Sequence, residues 1–344
     1  MPKEVGKQYR ALLKQYINNQ SEEGLYFGQQ FSRQFIEKNI APEEVISMHK
    51  IGVAELFPDL PDELMLTYDF LIEMMIHYGL ALQEHQSLVR KQEEIRVEMN
   101  LATKVQDTLL KTKLPDVKGL DIGYLTMPAK QMSGDYIYFL NEASNEACVA
   151  VADVIGKGIP AALCMSMVKF GMDSLRKENT NPHHVLDIVN RIVEKSVDDS
   201  MFISMFYGKY DADRSVFSYA SAGHEPALLF KAADRSFTEL DAKGLLLGVQ
   251  PNVVYEEHSV ELETGDFIVI MTDGVTEART EDGFIDQTEI QAMIGEMSEA
   301  SAQEIATTVY DKLVSLQNFI LHDDFTIVII KKINDVLNDD DQGK

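Results

Sequence analysis

The sequence predicts two regions of different fold class: an all-α N-terminal helical bundle that runs into a long linker helix, and a C-terminal α+β region. Two observations carry that division. Up to about residue 85 the apolar residues recur only at helical spacing, whereas beyond Leu114 and Pro115 short runs alternate with a period of two or are apolar throughout. In the second region strand-like runs arrive together and helical patterns arrive together, which favours α+β with largely antiparallel sheets.

Taken in order, residues 5–17 and 25–36 carry apolar residues at helical spacing. Pro42 with Glu43 and Glu44 opens a third helix whose acids favour the positive end of the helix dipole. That helix runs out at Phe57 and Pro58, and Pro61, Asp62 and Glu63 open a fourth by the same signals. The natural arrangement is a four-helix bundle. The fourth helix is apolar almost all round through Leu71, Ile72, Met74, Met75 and Ile76, so it must be covered inside its own bundle or by a second copy, as a homodimer. No stop signal closes it at Leu82; the pattern continues towards Pro115, a helix of about 50 residues and about 75 Å at 1.5 Å per residue. Leu88, Gln92, Ile95, Met99, Ala102, Gln106 and Leu109 are spaced by steps of four and three, a heptad seam too short and too polar to be a strong coiled coil alone. A pairing that is marginal by itself can be made or broken by events in the bundle, so this connector is the expected place of regulation. The alternative is a rigid spacer packed on the next domain.

Further on, strands are expected around Leu120, Ile122 and Tyr124 and over 136–140, 147–154, 201–210, 216–221, 227–230, 258–262, 267–271 and 325–330. Helices are expected over 159–175, 182–197 and 302–316. The resulting division is a helical bundle (1–85) with a dimer interface as one way to cover its fourth helix, a linker helix with a possible short coiled coil (86–115), an α+β domain (116–333) and a disordered acidic tail (334–344).

Composition narrows the function classes. With 344 residues, 45% hydrophobic and 25% charged, the chain is ordinary globular protein with room for two domains. No run approaches the roughly 18 apolar residues of a membrane span and no signal-peptide core opens the chain, so a cytoplasmic protein that does not enter membranes is expected. A net charge of −25 without a long Lys/Arg cluster argues against nucleic acid and for a protein or small-molecule partner. Cys148 falls in an apolar strand and Cys164 in the helix after Pro160, both as small buried side chains.

The chemistry concentrates at strand boundaries. The apolar run 148–152 reads as a strand buried on both faces, ended by Asp153, with a Gly-Lys-Gly turn before Pro160 starts a helix. Alone, Asp153 would be a turn cap. Asp135 in S-G-D-Y, Asp273 in M-T-D-G, and Asp323 and Asp324 in H-D-D-F-T occupy comparable places. Carboxylates gathered by a sheet repel unless something positive lies between them. Hard oxygen ligands without nearby Cys or a zinc-spaced His pair favour Mg²⁺ or Mn²⁺. Two such ions would activate a bridging water for in-line attack on a phosphoryl group.

The segments M-S-G-D-Y, A-D-V-I-G-K-G-I-P-A-A-L, S-A-G-H-E-P, L-G-V, M-T-D-G-V-T-E-A and D-D-F-T, in this order over roughly 120–333, resemble the bacterial branch of the PPM-type metal-dependent serine/threonine phosphatases. The N-terminal segments Q-Y-R-A-L-L, P-E-E-V-I-S-M-H-K and L-I-E-M-M-I-H-Y-G resemble the members of that branch that regulate the general stress sigma factor. The resemblance implies an antiparallel β-sandwich flanked by helices, holding two ions of Mn²⁺ or Mg²⁺. It implies Asp153 as the carboxylate bridging both ions, the Val154 carbonyl as a neighbouring ligand, and Asp273 and Asp323 as direct ligands. Asp135 would hold metal and water from the first strand pair. Asp324 stands where many relatives have Asn, and is grouped with the metal-binding acids as a supporting residue. Gly134, Gly156, Gly158 and Gly274 would allow the tight turns that bring these strand ends together.

The implied substrate is a phosphorylated anti-anti-sigma protein (RsbV-like), and the implied activator an RsbT-like kinase-fold protein bound by the N-terminal domain of a homodimer. The helix over 159–175 and its successor resemble the switch helices of this branch, into which the linker would carry the signal. Two departures stand out. Animal members carry a His shortly after the bridging Asp, where this chain has Ile155, Gly156 and Lys157, and an Arg for the phosphate, for which only Lys130 and Lys157 offer themselves. His224 stands at the site or orders a turn, His322 could tune Asp323, and His183 with His184 reads as a solvated helix start. These departures leave an alternative, a catalytically silent phosphoprotein-binding module. A nucleotide-handling enzyme with the same paired metals would need a G-x-x-x-x-G-K-[ST] loop, which the chain lacks.

Overall fold

A computed structural model describes residues 2–20, 22–140, 145–156, 158–175, 180–196, 201–280 and 283–334. The acidic tail and Lys157 therefore lie outside the described residues, apart from Asn334. By its contacts the chain divides into two units, Met1–Glu98 and Met99–Lys344, with the boundary inside one helix.

The first unit is helical: α1 (Pro2–Asn19), α2 (Glu22–Glu37), α3 (Pro42–Leu56) and the first part of α4 (Asp62–Leu109). Pro42 sits in the first turn of α3 with Glu43 and Glu44, as its sequence signals require. Val5, Phe31 and Phe35 form a small core, with Phe31 and Phe35 edge to face at 5.0 Å, joined by Tyr9, Leu12, Val45 and Met48. Tyr9 reaches His49 Nδ1 at 2.8 Å, His49 lies 5.7 Å from the Tyr68 ring on α4, and Lys50 pairs with Asp69. The opposite face of α4 is bare. Leu66 is 64% exposed, Phe70 76% and Tyr78 59%, so one copy of the chain does not cover the helix that its composition says must be covered.

Helix α4 ends at Leu109 rather than at Pro115. The reason is tertiary. Thr112 Oγ1 accepts a hydrogen bond from Phe139 N at 2.9 Å, which draws the chain out alongside the strand carrying Phe139. The heptad seam is also divided: Leu88 and Ile95 are exposed, whereas Gln106 is 5% exposed within the second unit.

The second unit is four layers deep. One antiparallel sheet runs β2 (Asp135–Leu140), β3 (Glu146–Val154), β4 (Ile203–Asp211), β5 (Val216–Ala222), β8 (His258–Glu261). The other runs β1 (Leu120–Met127), β12 (Phe325–Lys332), β9 (Phe267–Met271), β6 (Ala227–Lys231), β7 (Ser236–Leu240). Phe206, Phe217, Ile268 and Val328 belong to the core between the sheets. Helices α5 (Ile159–Asp173) and α6 (Pro182–Ser196) share a core with the first sheet through Met165, Val168, Leu186 and Val189. Helices α8 (Gln287–Glu296) and α9 (Ala302–Leu316) cover the other through Ile290, Ile294, Ile305 and Val309. Between them lie the one-turn α7 (Asp273–Thr276) and the ribbon β10 (Arg279–Thr280) and β11 (Gly283–Phe284).

The expected strands and helices of this region are present, and the antiparallel sandwich flanked by helices is the observed architecture. Strand β7 and helices α7 and α8 go beyond the sequence expectation. Ser236–Leu240 carries one alternating Phe on a mostly polar edge strand, and α8 owes its start to Asp286, whose side chain accepts from Thr288 N at 2.8 Å. Cys148 and Cys164 are buried free thiols, and burial pushes the Cys164 thiol up to about 11, out of reach of nucleophilic chemistry.

Candidate active site

The sandwich brings the four acidic segments to one end. Antiparallel pairing sets Asp135, the first residue of β2, directly opposite Asp153 near the end of β3. In the other sheet β9 ends at Met271 just before Thr272 and Asp273, and β12 begins at Phe325 just after Asp323 and Asp324. Thr272 N donates to Thr326 O at 3.1 Å, closing that end of the ladder.

Asp135 joins the two sheets. Its Oδ2 accepts from Thr272 Oγ1 at 2.7 Å and its carboxylate also receives the Thr326 hydroxyl, while the side chain is almost fully buried. Burial first, and the neighbouring charge of Asp153 second, hold its carboxyl well above the usual carboxylate range. Asp153 is pushed up to about 6, by burial and then by the charges of Asp273, Asp323 and Asp324. Five acids thus share one electrostatic environment, which is the field a multivalent cation would relieve.

Asp324 does different work. Its Oδ1 accepts from Ala129 N at 2.8 Å, and its Oδ2 accepts from Gly134 N at 2.6 Å and from Ser133 Oγ at 3.2 Å. Both oxygens are thus spent on positioning the 129–134 segment against the start of β12. Asp323 Oδ1 accepts the Asp324 amide at 2.9 Å, a local turn that orients the neighbouring acid.

The donor chemistry can be tested against a hard cation. A Cβ built on Gly134 would lie 3.4 Å from Asp153 Oδ1, 3.4 Å from Val154 O and 3.3 Å from Gly156 O. Glycine therefore leaves open a small space faced by a carboxylate oxygen and two carbonyl oxygens, which fits Mg²⁺ or Mn²⁺. Among the described residues no three His, Cys, Asp or Glu side chains form a ready-made cage around one ion.

The remaining candidates separate cleanly. His224 is buried, burial pushes its ring down to about 4, and its Nδ1 lies 2.8 Å from the hydroxyl of Ser204, the residue paired with Asp153 on β4. Its backbone closes a turn with Ser221, so His224 both orders that turn and backs the strand beneath Asp153 as a neutral imidazole. Lys130 is exposed on the 128–134 loop, and His322 is exposed beside Asp323. His183 lies 2.6 Å from Glu257, away from the acidic cluster. Sequence reasoning misses Thr272, Thr326 and Ser133, although all three stand inside the motifs that carry the acids. The signal is a hydroxyl residue within two positions of Asp135, Asp273 and Asp324, a pairing that has meaning only once the two sheets face each other.

The raised carboxyls give a pH dependence with a definite sign. A folded-state value above the unfolded one leaves stability intact below about pH 4 and removes it as pH rises towards 6. In a chelator, wild-type protein is therefore expected to lose on the order of 1–3 kcal/mol more stability between pH 5 and pH 7 than Asp153→Asn. Thermal unfolding at the two pH values checks this; parallel pH slopes would refute the shared-charge description. Added Mn²⁺ is expected to abolish the wild-type loss.

This fold with its acidic end defines a metal-dependent protein serine/threonine phosphatase, and the chain belongs to the RsbU family of phosphoserine phosphatases. The family model for stage II sporulation protein E matches residues 143–332, and that for the N-terminal domain of phosphoserine phosphatase RsbU matches residues 7–81. Phosphoserine phosphatase RsbU of Bacillus subtilis is 49% identical over 95% of this chain and 98% of that protein. Protein IcfG of Synechocystis is 23% identical over 68% of this chain and 41% of its own length. Among solved structures, the SiaA-PP2C domain of Pseudomonas aeruginosa superposes with a TM-score of 0.59 at 19% identity, covering 71% of this chain and 99% of that domain. The RsbU and RsbW domains of a Mycobacterium tuberculosis protein give 0.55 at 22% identity, covering 65% of this chain and 62% of that one. These two likenesses bear on the fold. No described helix is long and apolar enough to cross a membrane.

Proposed function

We propose that the enzyme dephosphorylates a phosphorylated anti-anti-sigma protein of the RsbV kind, and so acts to release the general stress sigma factor. The observation that carries this reading is the convergence of Asp135, Asp153, Asp273 and Asp323 at one end of the sandwich, beside the oxygen-lined space at Gly134. Asp153, the Val154 carbonyl, Asp135, Asp273 and Asp323 would hold two ions of Mn²⁺ or Mg²⁺. Bound there, the ions supply Lewis-acid activation of water for in-line attack on the phosphoserine phosphorus and neutralise charge on the phosphoryl oxygens. The chain's own part is preorganisation. Thr272 and Thr326 fix the Asp135 carboxylate, and Asp324 fixes the loop that leads into it. His224, held neutral by burial, supports the Ser204 end of β4.

Residues 1–85 form the regulatory domain in this reading, dimerising and binding an RsbT-like kinase-fold activator, with residues 86–115 as the linker to the phosphatase domain. The bare face of α4 at Leu66, Phe70 and Tyr78 supports a second copy of the chain as its cover. The same reading places the protein in the cytoplasm.

In the full-length chain, Phe70→Asp is expected to give a monomer whose Mn²⁺-dependent phosphate release is unchanged but whose stimulation by the activator falls at least about tenfold, since a charge is placed in the core of an interface. Light scattering and phosphate release, each with and without the activator, measure this. Full stimulation of a monomeric variant would remove the dimer from the account and leave the phosphatase standing.

A further inference from the structure

Gln106 stands on the predicted heptad seam, yet in the structure it is turned inward. Its side chain is 5% exposed and its Nε2 donates to Ser133 O at 2.9 Å. One turn earlier Thr103 Oγ1 lies 3.0 Å from Gln131 O and 3.0 Å from Met99 O of its own helix, its one proton shared between them, and Gln131 Nε2 approaches Asn100 Oδ1 at 3.5 Å. The end of α4 therefore grips the 131–133 segment by its carbonyls. The site begins at the next residues of that segment. Ser133 Oγ donates to Asp324 Oδ2 at 3.2 Å and accepts from Asp135 N at 3.1 Å, and Gly134 N donates to the same Asp324 oxygen at 2.6 Å.

Close packing does not force this grip. A cavity of ≈ 440 Å³ lies beside it, lined by Thr103, Gln106, Leu110, Ser133 and Asp135 among others. A side chain of Gln106's volume without a donor would fill the same place and leave the Ser133 carbonyl without its bond. The position is also exclusive, because a carboxamide engaged with Ser133 cannot at the same time occupy a helix–helix seam.

We propose that Gln106 is a positioning residue for the phosphatase centre: its hydrogen bond to the Ser133 carbonyl fixes the Ser133–Gly134–Asp135 entry to β2, and so couples the end of the linker helix to the metal-binding acids. The proposal rests on the phosphatase reading above. It differs from a signal passed through α5 and α6, since the hydrogen bond is made to the Ser133 carbonyl and to neither helix.

The test uses the full-length chain, with Gln106→Met, which keeps the volume and removes the donor, and Gln106→Glu, which turns an acceptor towards the Ser133 carbonyl. Two readouts are taken: Mn²⁺ affinity by calorimetry, and amide hydrogen exchange in metal-free protein. Gln106→Met is expected to weaken Mn²⁺ binding about tenfold and to speed exchange at Gly134 and Asp135 by a similar factor, with Val151 unchanged; Gln106→Glu is expected to do more of both. Combined with Ser133→Ala, the Met variant should lose less than the sum of the single effects, because both changes break one path.

Wild-type exchange and affinity in the Met variant would overturn the proposal, as would exchange that rises at Val151 as much as at Gly134, which marks general loosening. Wild-type protein that takes up no Mn²⁺ would overturn the phosphatase reading instead, while the metal-free exchange at Gly134 would still decide the role of Gln106.

Discussion

Asp153→Asn is expected to lower Mn²⁺-dependent phosphate release on the order of 10³-fold, the loss expected when one preorganised charge is removed from a reaction centre. The expectation rests on place and field. Asp153 lies opposite Asp135 in the ladder, its Oδ1 faces the Gly134 space together with Val154 O, and the charges of Asp273, Asp323 and Asp324 act on it. Asparagine keeps the volume and strand position, so the fold is expected to survive. Metal-free Asp153→Asn should in fact be the more stable protein at pH 7, because it removes a charge that the others repel. Activity and stability then move in opposite directions, which an unfolding artefact does not produce. Phosphate release within tenfold of wild type would show that Asp153 is not at the reaction centre.

Gly274→Ala is the second large effect. A Cβ there would lie 2.0 Å from the backbone oxygen of Asp324 and 2.8 Å from its carbonyl carbon, and backbone cannot swing aside as a side chain can. Either α7 or the start of β12 must shift. Because Asp324 carries Ala129, Ser133 and Gly134 on its carboxylate, a shift at β12 travels to the entry of β2. A loss of about 3 kcal/mol in stability is expected, at the upper end for overpacking, and about 10²-fold in phosphate release, the scale of an ångström-sized misplacement. Gly28→Ala on α2 is the control. Nothing stands within 4 Å of its Cβ, so helix propensity alone acts and stability should hold or rise by up to about 1 kcal/mol. Denaturant unfolding of the two variants gives the comparison; equal midpoints would mean that the Gly274 contact relaxes at no cost.

The acids proposed to bind metal are legible because each stands at the boundary of a strand whose apolar run is plain in the sequence, and chain order supplies the motifs. Their surroundings are not legible. Thr272 and Thr326 matter only because one sheet lies on the other, and the register that sets Asp135 against Asp153 is a property of pairing. Gln106 fits a heptad as well as it fits an inward position, since one helical period serves both, and only the 131–133 segment decides. The end of α4 escapes the sequence for a similar reason: local signals run on to Pro115, while Thr112 is claimed by Phe139. Gly274 reads as a turn former, but its requirement is the closeness of Asp324. Helix α1 and the β3 core strand, by contrast, are set by their own residues and are readable at once.

The central claim is that the acidic end of the sandwich is a metal-dependent phosphatase centre. Its most direct test is phosphate release from a phosphoserine anti-anti-sigma protein by the wild-type full-length chain, in the presence of the activator, as Mn²⁺ is titrated in after chelation. The account predicts no release in chelator and a saturable rise with Mn²⁺. Release that is indifferent to the metal, or tight binding of the phosphoprotein without release at any Mn²⁺ concentration, would contradict it, and the second outcome would make the chain a silent phosphoprotein-binding module.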